Sequence, residues 1–314
     1  MIYGGSHIGI GIVENGKIIR KIENKISEID KSNITEILEQ IILESIIKLC
    51  NEAEETEIKN KKIESIGIAV PGTVNETSIC KCVNLGIKNY NIVKRLNALF
   101  IDYQVIFEQL PIRIKIQNDA KCAAIAENEC GALKDYENSV FLTLGTGIGG
   151  AAIIKNLLLE GNKVSGYEFG HMIIEKEGLD CNCGKKGCFE LYGSMRKFKT
   201  DLKTKLNLNE FTTSRQLVDL LKYDKALNRN DETIKKVVEE YTENLSIGIS
   251  NLINIFEPDV IGIGGSFVYF EEFLVERLKE KILSGNLLFN KRDDIIIKSA
   301  LLKNDAGIIG ASML

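Results

Sequence analysis

A glycine-rich turn leading into a hairpin, then a helix, then a buried strand with a polar tip occurs twice in this 314-residue chain. The first copy opens with Gly4-Gly5-Ser6. Ile8, Ile10 and Ile12 alternate with glycines, Asn15-Gly16 supplies a turn, and Lys17–Lys21 returns. Ile34, Ile37, Leu38, Ile41, Ile42, Ile46 and Leu49 recur at helical spacing, with Ser45 on the same face, which predicts a helix over about 33–53. Ser65–Val70 reads as a buried strand closed by Pro71-Gly72. A strand over 112–116 ends at Gln117-Asn118-Asp119, and a small-residue helix over about 120–131 leaves it.

The second copy begins with a strand at Ser139–Leu144 and the turn Gly145–Gly150. A strand over 151–155 follows, then a turn at Asn156 into 157–160. Thr233–Phe256 is a long helix, and Val260–Ile263 a buried strand ending in Gly264-Gly265-Ser266, with a further helix after it. The period is about half the chain, too long for a solenoid. Strands alternating with helices stack as α/β layers. In such sheets ligands bind beyond the carboxyl ends of the strands. The expectation is two related α/β domains facing each other, with the tips at 71–72, 118–119, 145–150 and 264–266 converging on one cleft.

Composition narrows the function classes. Lysine and arginine number 40 against 44 acids, a formal net charge of −4. No whole-chain basic field exists to draw in nucleic acid or an anionic membrane. No run of about 18 apolar residues suggests a transmembrane helix. The start, MIYGGSHIGIGIVENG, has neither a basic n-region nor an apolar h-region, so it does not read as a signal peptide. The eight cysteines therefore belong to a reducing cytoplasmic setting, where a disulfide framework is not expected.

Three constellations carry chemistry. His171, Cys181, Cys183 and Cys188 supply one imidazole and three thiols, the donor set of a closed tetrahedral Zn²⁺ site. Gly184 and Gly187 let the backbone turn tightly enough for close thiolates to face one ion. A closed site leaves no position for water, so the metal would be structural. The chain has only two histidines, and one of them falls here; a loop of reduced thiols with an accidental histidine is the alternative. Cys80 and Cys82 have no histidine near them and read as core or surface residues.

Leu144–Gly150, LGTGIGG, would present backbone N–H groups to a ligand as phosphate cradles do, and Gly4-Gly5-Ser6 is a similar turn. Each alone could simply close a hairpin; their equivalent places in a duplicated unit favour a shared task. No Walker-type P-loop is present. The third constellation is Asn118-Asp119 at a strand end. Asp119 could cap the following helix or act as a general base, and composition alone leaves both open. Glu168, Glu190 and His171 flank the cysteine loop, and carboxylates and amides suit a polyhydroxylated ligand. His7, the other histidine, reads as a solvated or turn residue.

Together these residues resemble the ROK family of sugar kinases and sugar-responsive regulators, within the hexokinase/actin-like ATPase superfamily. The resemblance runs over nearly the whole chain. Its most specific piece is GYEFGHMII followed by CNCGKKGCFE. LGTGIGGAAII is similar to the second phosphate motif, PDVIGIGGSF to the adenosine motif, and DAGIIGASML to the closing helix. The fold implied is two actin-like ATPase (ribonuclease H-like) domains with a cleft between them. The smaller would cover about 1–118, with the final helix, about 304–314, packing back on it. The larger would cover about 119–303 and carry the zinc loop.

The resemblance also implies roles. Asp119 matches the catalytic base, and Asn118, Glu168, His171 and Glu190 match sugar-hydroxyl contacts, with Gly72 lining the pocket. His171 would place one ring nitrogen on zinc and the other toward the sugar. Gly145, Thr146 and Gly147 match the phosphate turn, Gly264, Gly265 and Ser266 the adenosine contacts. Gly4, Gly5 and Ser6 match the first phosphate motif. The reaction implied is in-line phosphoryl transfer from MgATP to a hexose 6-hydroxyl with domain closure. Glucose is the first candidate and N-acetylmannosamine the second, since both subgroups share the zinc loop. The resemblance further suggests a homodimer or homotetramer, while the acidic charge balance and the absence of a signal or long apolar run read as a cytoplasmic protein that binds neither nucleic acid nor membrane. ROK repressors usually carry a helix-turn-helix domain ahead of the kinase-like part, and here the glycine turn begins at Gly4.

One departure divides the functional readings. The first phosphate motif ordinarily carries an Asp near the Mg²⁺, and alignment puts Ile2 there; Ser6 keeps the hydroxyl of a Thr. An apolar side chain cannot hold a hydrated Mg²⁺. A sugar kinase and a non-catalytic sugar sensor or pseudokinase are therefore both carried forward, with a zinc-stabilised α/β domain of no such activity as a third reading.

Overall fold

The structure, a computed structural model, describes residues 2–3, 7–25, 33–54, 63–83, 85–102, 112–162, 166–227, 231–285 and 296–314, with only the backbone of 2–3 and 52–54. The chain divides into two compact units. The first comprises 1–131, 160–166 and 304–314, the second 132–159 and 167–303.

In the first unit a short strand β1 (Ile2–Tyr3) pairs antiparallel with β2 (His7–Glu14), which pairs with β3 (Lys17–Lys25). Asn15 and Gly16 both take positive φ, 49° and 73°. That is the primed turn whose twist matches a two-residue hairpin. His7 is exposed and lies in β2 rather than in a turn. Helix α1 (Ile34–Glu54) buries Ile34, Leu38, Ile42, Leu43, Ile46 and Leu49. At about 1.5–3 kcal/mol each, these outweigh the helix-propensity cost of isoleucine, at most about 0.7 kcal/mol per residue. Ser45 is buried on the same face and accepts a hydrogen bond from Asn24 Nδ2 at 3.1 Å.

Strand β4 (Ser65–Val70) follows, and then a three-stranded sheet of β5 (Thr73–Val74), β6 (Ile79–Cys82) and β7 (Ile87–Tyr90). Cys82 is fully buried there and its thiol points to the Pro71 carbonyl at 3.2 Å, while Cys80 is half-buried. Helix α2 (Ile92–Asp102) leads toward β8 (Arg113–Asn118), which pairs parallel with β4 over six residues. Glu39 on α1 is buried and accepts two bonds from Arg95 on α2, at 2.9 and 2.8 Å, and one from the Tyr90 hydroxyl. Helix α3 (Asp119–Cys130) closes this run.

The second unit repeats the plan. β9 (Ser139–Leu144) pairs antiparallel with β10 (Ile148–Ile154), which pairs with β11 (Leu157–Leu158). β10 starts at Ile148, three residues before the expected 151, because Ile148 already pairs with Leu144. A one-turn helix α4 (Glu190–Gly193) and then α5 (Met195–Lys205), α6 (Ser214–Ala226) and α7 (Glu232–Phe256) come next. Asp231 caps α7, accepting from Thr233 N and Ile234 N, and Glu257 ends it with φ 45° just before Pro258. β12 (Val260–Gly265) is parallel to β9 and to β13 (Ile296–Ser299), with α8 (Glu271–Ser284) between. The core here is aromatic: Phe198 lies 4.7 Å from Tyr241 and 5.6 Å from Phe270, centroid to centroid.

The last helix α9 (Ala306–Ser312) returns to the first unit. It packs backbone to backbone: a Cβ on Gly310 would lie 1.7 Å from the Cys122 carbonyl oxygen of α3. This packing assigns α3 to the first unit, so the expected boundary at 118/119 falls instead after Gly131.

The sheet orders are β3-β2-β1-β4-β8 and β11-β10-β9-β12-β13. Each is a three-stranded antiparallel meander continued by two parallel strands, the duplication read from the glycine turns. Among the described residues no helix is long and apolar enough to cross a membrane.

Candidate active site

Residues singled out in the sequence fall in both units. In the first unit they gather where β4 and β8 end. These strands pair to their last residues, Val70 with Asn118. Beyond Val70, the Gly72 carbonyl accepts a bond from Asn118 Nδ2 at 3.1 Å. Asn118 Oδ1 accepts from Ala120 N and Lys121 N at 3.0 and 3.3 Å.

Asn118, with extended φ −62° and ψ 142°, is therefore the cap of α3. The capping role open to Asp119 thus belongs to its neighbour. Asp119 is the first residue of α3 and half-buried, and its Oδ1 accepts from Ala120 N at 2.9 Å. A carboxylate at that end is favoured by the positive pole of the helix. Behind it, Gln117 Oε1 accepts from Asn118 N at 2.8 Å, and Gln117 Nε2 donates to Glu160 at 2.7 Å.

In the second unit the two glycine turns come off neighbouring strands. β9 and β12 run parallel in register, Thr143 beside Gly264 and Leu144 beside Gly265. Gly145-Thr146-Gly147 thus leaves β9 next to where Gly265-Ser266 leaves β12. Gly145 N donates to Gly147 O at 3.0 Å, and Thr146 is exposed. The turn is braced from two sides. Arg196 N, in the first turn of α5, donates to Gly145 O at 3.0 Å. Glu190 Oε2 accepts from Ile148 N at 3.0 Å. Gly4, Gly5 and Ser6, the equivalent turn of the first unit, lie outside the described residues.

The metal donors do gather. One ligand atom from each of His171, Cys181, Cys183 and Cys188 lies within 4.8 Å of every other. Cys181 Sγ is 3.7 Å from His171 Nδ1, and Cys183 Sγ is 3.5 Å from Cys188 Sγ. A zinc ion with ordinary Zn–N and Zn–S bonds spans tetrahedron edges of about 3.6–3.8 Å. The spacing and donor set fit that ion.

The loop is built for it. Cys181 N donates to Lys185 O at 2.8 Å and Gly184 N to Cys181 O at 2.9 Å, forming a tight knuckle. Gly187 has φ 70°, and a Cβ there would meet the Glu175 carbonyl oxygen at 1.6 Å. Burial and the adjoining thiols push the Cys188 thiol up to about 12, whereas the Lys185 backbone N–H lowers that of Cys183. As thiolates, these three would need a cation to coexist.

Glu168 is exposed and immediately precedes the one-turn 3₁₀ helix Phe169–His171, and its carbonyl accepts from His171 N at 3.0 Å. With Nδ1 turned to Cys181, the other ring nitrogen of His171 faces away from the thiols. Glu190 follows Cys188 by two residues at the start of α4 and accepts from Ile148 N, so one hydrogen bond ties the cysteine loop to the Gly145–Gly147 turn. Lys185, which donates to the His171 carbonyl at 3.0 Å, and Arg196 were not singled out in the sequence. Nothing in their spacing marks them, because both act through chain reversal.

Two sheets of identical order, with glycine turns at the strand ends, define the two-domain actin-like ATPase fold. The ROK family profile matches residues 2–314, and the chain belongs to that family. The glucokinase of Thermotoga maritima is 27% identical over 99% of this chain and 94% of its own length. The xylose repressor of Bacillus spizizenii is 28% identical, but this chain covers only 61% of its length. Among solved structures, the ROK hexokinase from Thermus thermophilus has a TM-score of 0.72 at 23% identity, covering 99% of this chain and 95% of that one. Kinases and repressors thus both stand among its relatives.

Proposed function

We propose that this protein is an ATP-dependent sugar kinase acting on the 6-hydroxyl of a hexose, with glucose ahead of N-acetylmannosamine. The observation that supports it most is the pair of glycine turns at adjacent ends of β9 and β12, a ready place for a phosphoryl donor. Gly145, Thr146 and Gly147 take the phosphates, and Gly264, Gly265 and Ser266 take the adenosine.

The Asp119 carboxylate accepts the proton of the 6-hydroxyl as that oxygen attacks the γ-phosphorus. The bond from the γ-phosphorus to its bridging oxygen breaks and ADP leaves. Asn118, Glu168, Glu190 and His171 orient the sugar hydroxyls, with Gly72 against the ring. His171, Cys181, Cys183 and Cys188 would hold a zinc ion, which would supply a fixed structural tie. The His171 ring is held by that tie in one orientation toward the sugar. The Ile2 side chain offers no oxygen to a magnesium ion, so a Mg²⁺ carried in with ATP would have to take its ligands elsewhere.

A second reading, a sugar sensor without turnover, is favoured by Ile2 and by the repressor relative. ADP release with MgATP separates the two, using glucose, N-acetylmannosamine, N-acetylglucosamine, mannose and fructose in turn. Turnover with one sugar supports the kinase and names its substrate. Absence of turnover, with a sugar-dependent rise in Tm, supports the sensor.

A further inference from the structure

Lys199 on α5 differs from the ion-paired lysines around it in the second unit. Lys197 holds Asp201 at 2.6 Å, Lys225 holds Glu272 at 2.8 Å, and Lys281 holds Glu243 at 2.8 Å. The Lys199 ammonium instead lies 3.3 Å from the Ser214 hydroxyl and 3.5 Å from the Ser266 hydroxyl, with no carboxylate at ion-pair distance among the described residues. Burial, and then repulsion from Lys203 one turn on, hold its pKa below the ordinary lysine range. Ser214 opens the thirteen-residue helix α6, whose amino end adds further positive potential.

As a structural tie this is poor. Two long bonds to neutral hydroxyls stabilise by about 0.5–1.5 kcal/mol each at best, against the cost of half-burying an ammonium beside a like charge. As an anion site it is well composed. One hydroxyl within reach, Ser266, follows Gly265 at the end of β12. Less than one turn earlier in α5, Arg196 donates its backbone N–H to the Gly145 carbonyl at 3.0 Å. The first five residues of α5 therefore touch both the Gly145 turn and Ser266, with a cation lacking a carboxylate at the second.

We propose that Lys199 is a phosphoryl-donor contact: its ammonium, beside the Ser266 hydroxyl that takes the adenosine, binds the phosphate nearest the ribose of a nucleoside triphosphate whose remaining phosphates run to the Gly145 turn. This rests on reading those turns as the donor site. It also gives the donor a fixed positive charge in a chain whose first phosphate motif has Ile2 in place of a metal-anchoring carboxylate.

The test compares wild type, Lys199→Gln, Lys199→Met and Lys199→Arg by fluorescence titration with N-methylanthraniloyl-ATP, with Tm measured alongside. Lys199→Gln keeps a side-chain donor for the two serines and removes only the charge. Loss of a charge-assisted contact should weaken nucleotide binding about tenfold or more in Lys199→Gln and Lys199→Met. Lys199→Arg should restore most of it, with Tm unchanged throughout. Wild-type affinity in Lys199→Gln overturns the proposal. So does a fall in Tm that tracks the loss of affinity, which marks a structural role. A wild-type chain that binds no nucleotide at all overturns the donor-site reading itself, and this inference with it.

Discussion

The two five-stranded sheets share one strand order but are not equal partners. In the second unit β9 is six residues long and pairs in register with β10 on one side and β12 on the other. Its turn keeps Gly145, Thr146 and Gly147, braced by Glu190 and by the start of α5. In the first unit β1 is described only at Ile2 and Tyr3, with Ile2 paired to Gly9 and Ala69. The cores differ in the same sense. The second is filled by Phe141, Phe189, Phe198, Phe267 and Phe270, all nearly inaccessible, whereas the first is almost wholly aliphatic and is clipped by a buried carboxylate. Topology sets where a turn lies. The residues in it decide what it can hold.

The sharpest way to break this comparison is at Asp119, the first unit's contribution to the proposed chemistry. Asp119→Asn should lower kcat by about 10²–10⁴-fold, the ordinary worth of general-base catalysis. Asn118 carries the cap, so Tm and sugar binding should persist. Near-wild-type turnover in steady-state assays would remove Asp119 from that role.

The second unit should respond next at its metal loop. Cys181→Ser should reduce bound zinc and lower Tm by roughly 5–15 °C, with weaker sugar binding, since metal affinity here is folding free energy. Unchanged metal content by atomic absorption together with unchanged Tm would sink the structural-zinc reading.

The clip of the first unit is smaller. Its Glu39 carboxyl is held below the ordinary range by the Arg95 guanidinium, aided by the Tyr90 hydroxyl, and burial opposes this. A lowered folded pKa contributes stability that is present above the unfolded value and lost as pH falls through the folded one. Wild type should therefore lose stability on acidification below about pH 4.5. Glu39→Gln should cost about 1–3 kcal/mol at neutral pH and show a flatter acid limb in urea titrations. Equal acid limbs in the two proteins would show that Glu39 is not the group responsible.

Smallest is the change that would make the units more alike. Ile2→Asp should raise kcat/KM by about tenfold, equivalent to about 1.4 kcal/mol, and steepen its Mg²⁺ dependence. No gain would mean that the first turn has ceased to matter for the donor.

Long apolar periods were the legible part of the fold. The helix expected over 33–53 is Ile34–Glu54, and the strands Ser65–Val70 and Ser139–Leu144 stand as read. The sheet of β5, β6 and β7 was not legible, because its strands span two to four residues and show no period. Nor were α5 and α6, where the apolar stripe is narrow and charged residues intervene; α2 was missed although Ile92, Val93, Leu96, Leu99 and Phe100 recur at helical spacing.

The site divides along the same line. By itself the sequence marked out the Cys/His cluster, since a Cys-x-Cys-x₄-Cys knuckle is local, and it determined the glycine turns and the strand-end Asn-Asp pair, since each is a short-range backbone demand. Only the tertiary structure decided that Asn118 and not Asp119 caps α3, that α3 belongs with the first unit, and that Lys199 meets Ser266 across sixty-seven residues. Those outcomes turn on a one-residue change of backbone conformation, on contact between helix backbones, and on a charge held by partners remote in sequence. None of the three leaves a pattern along the chain.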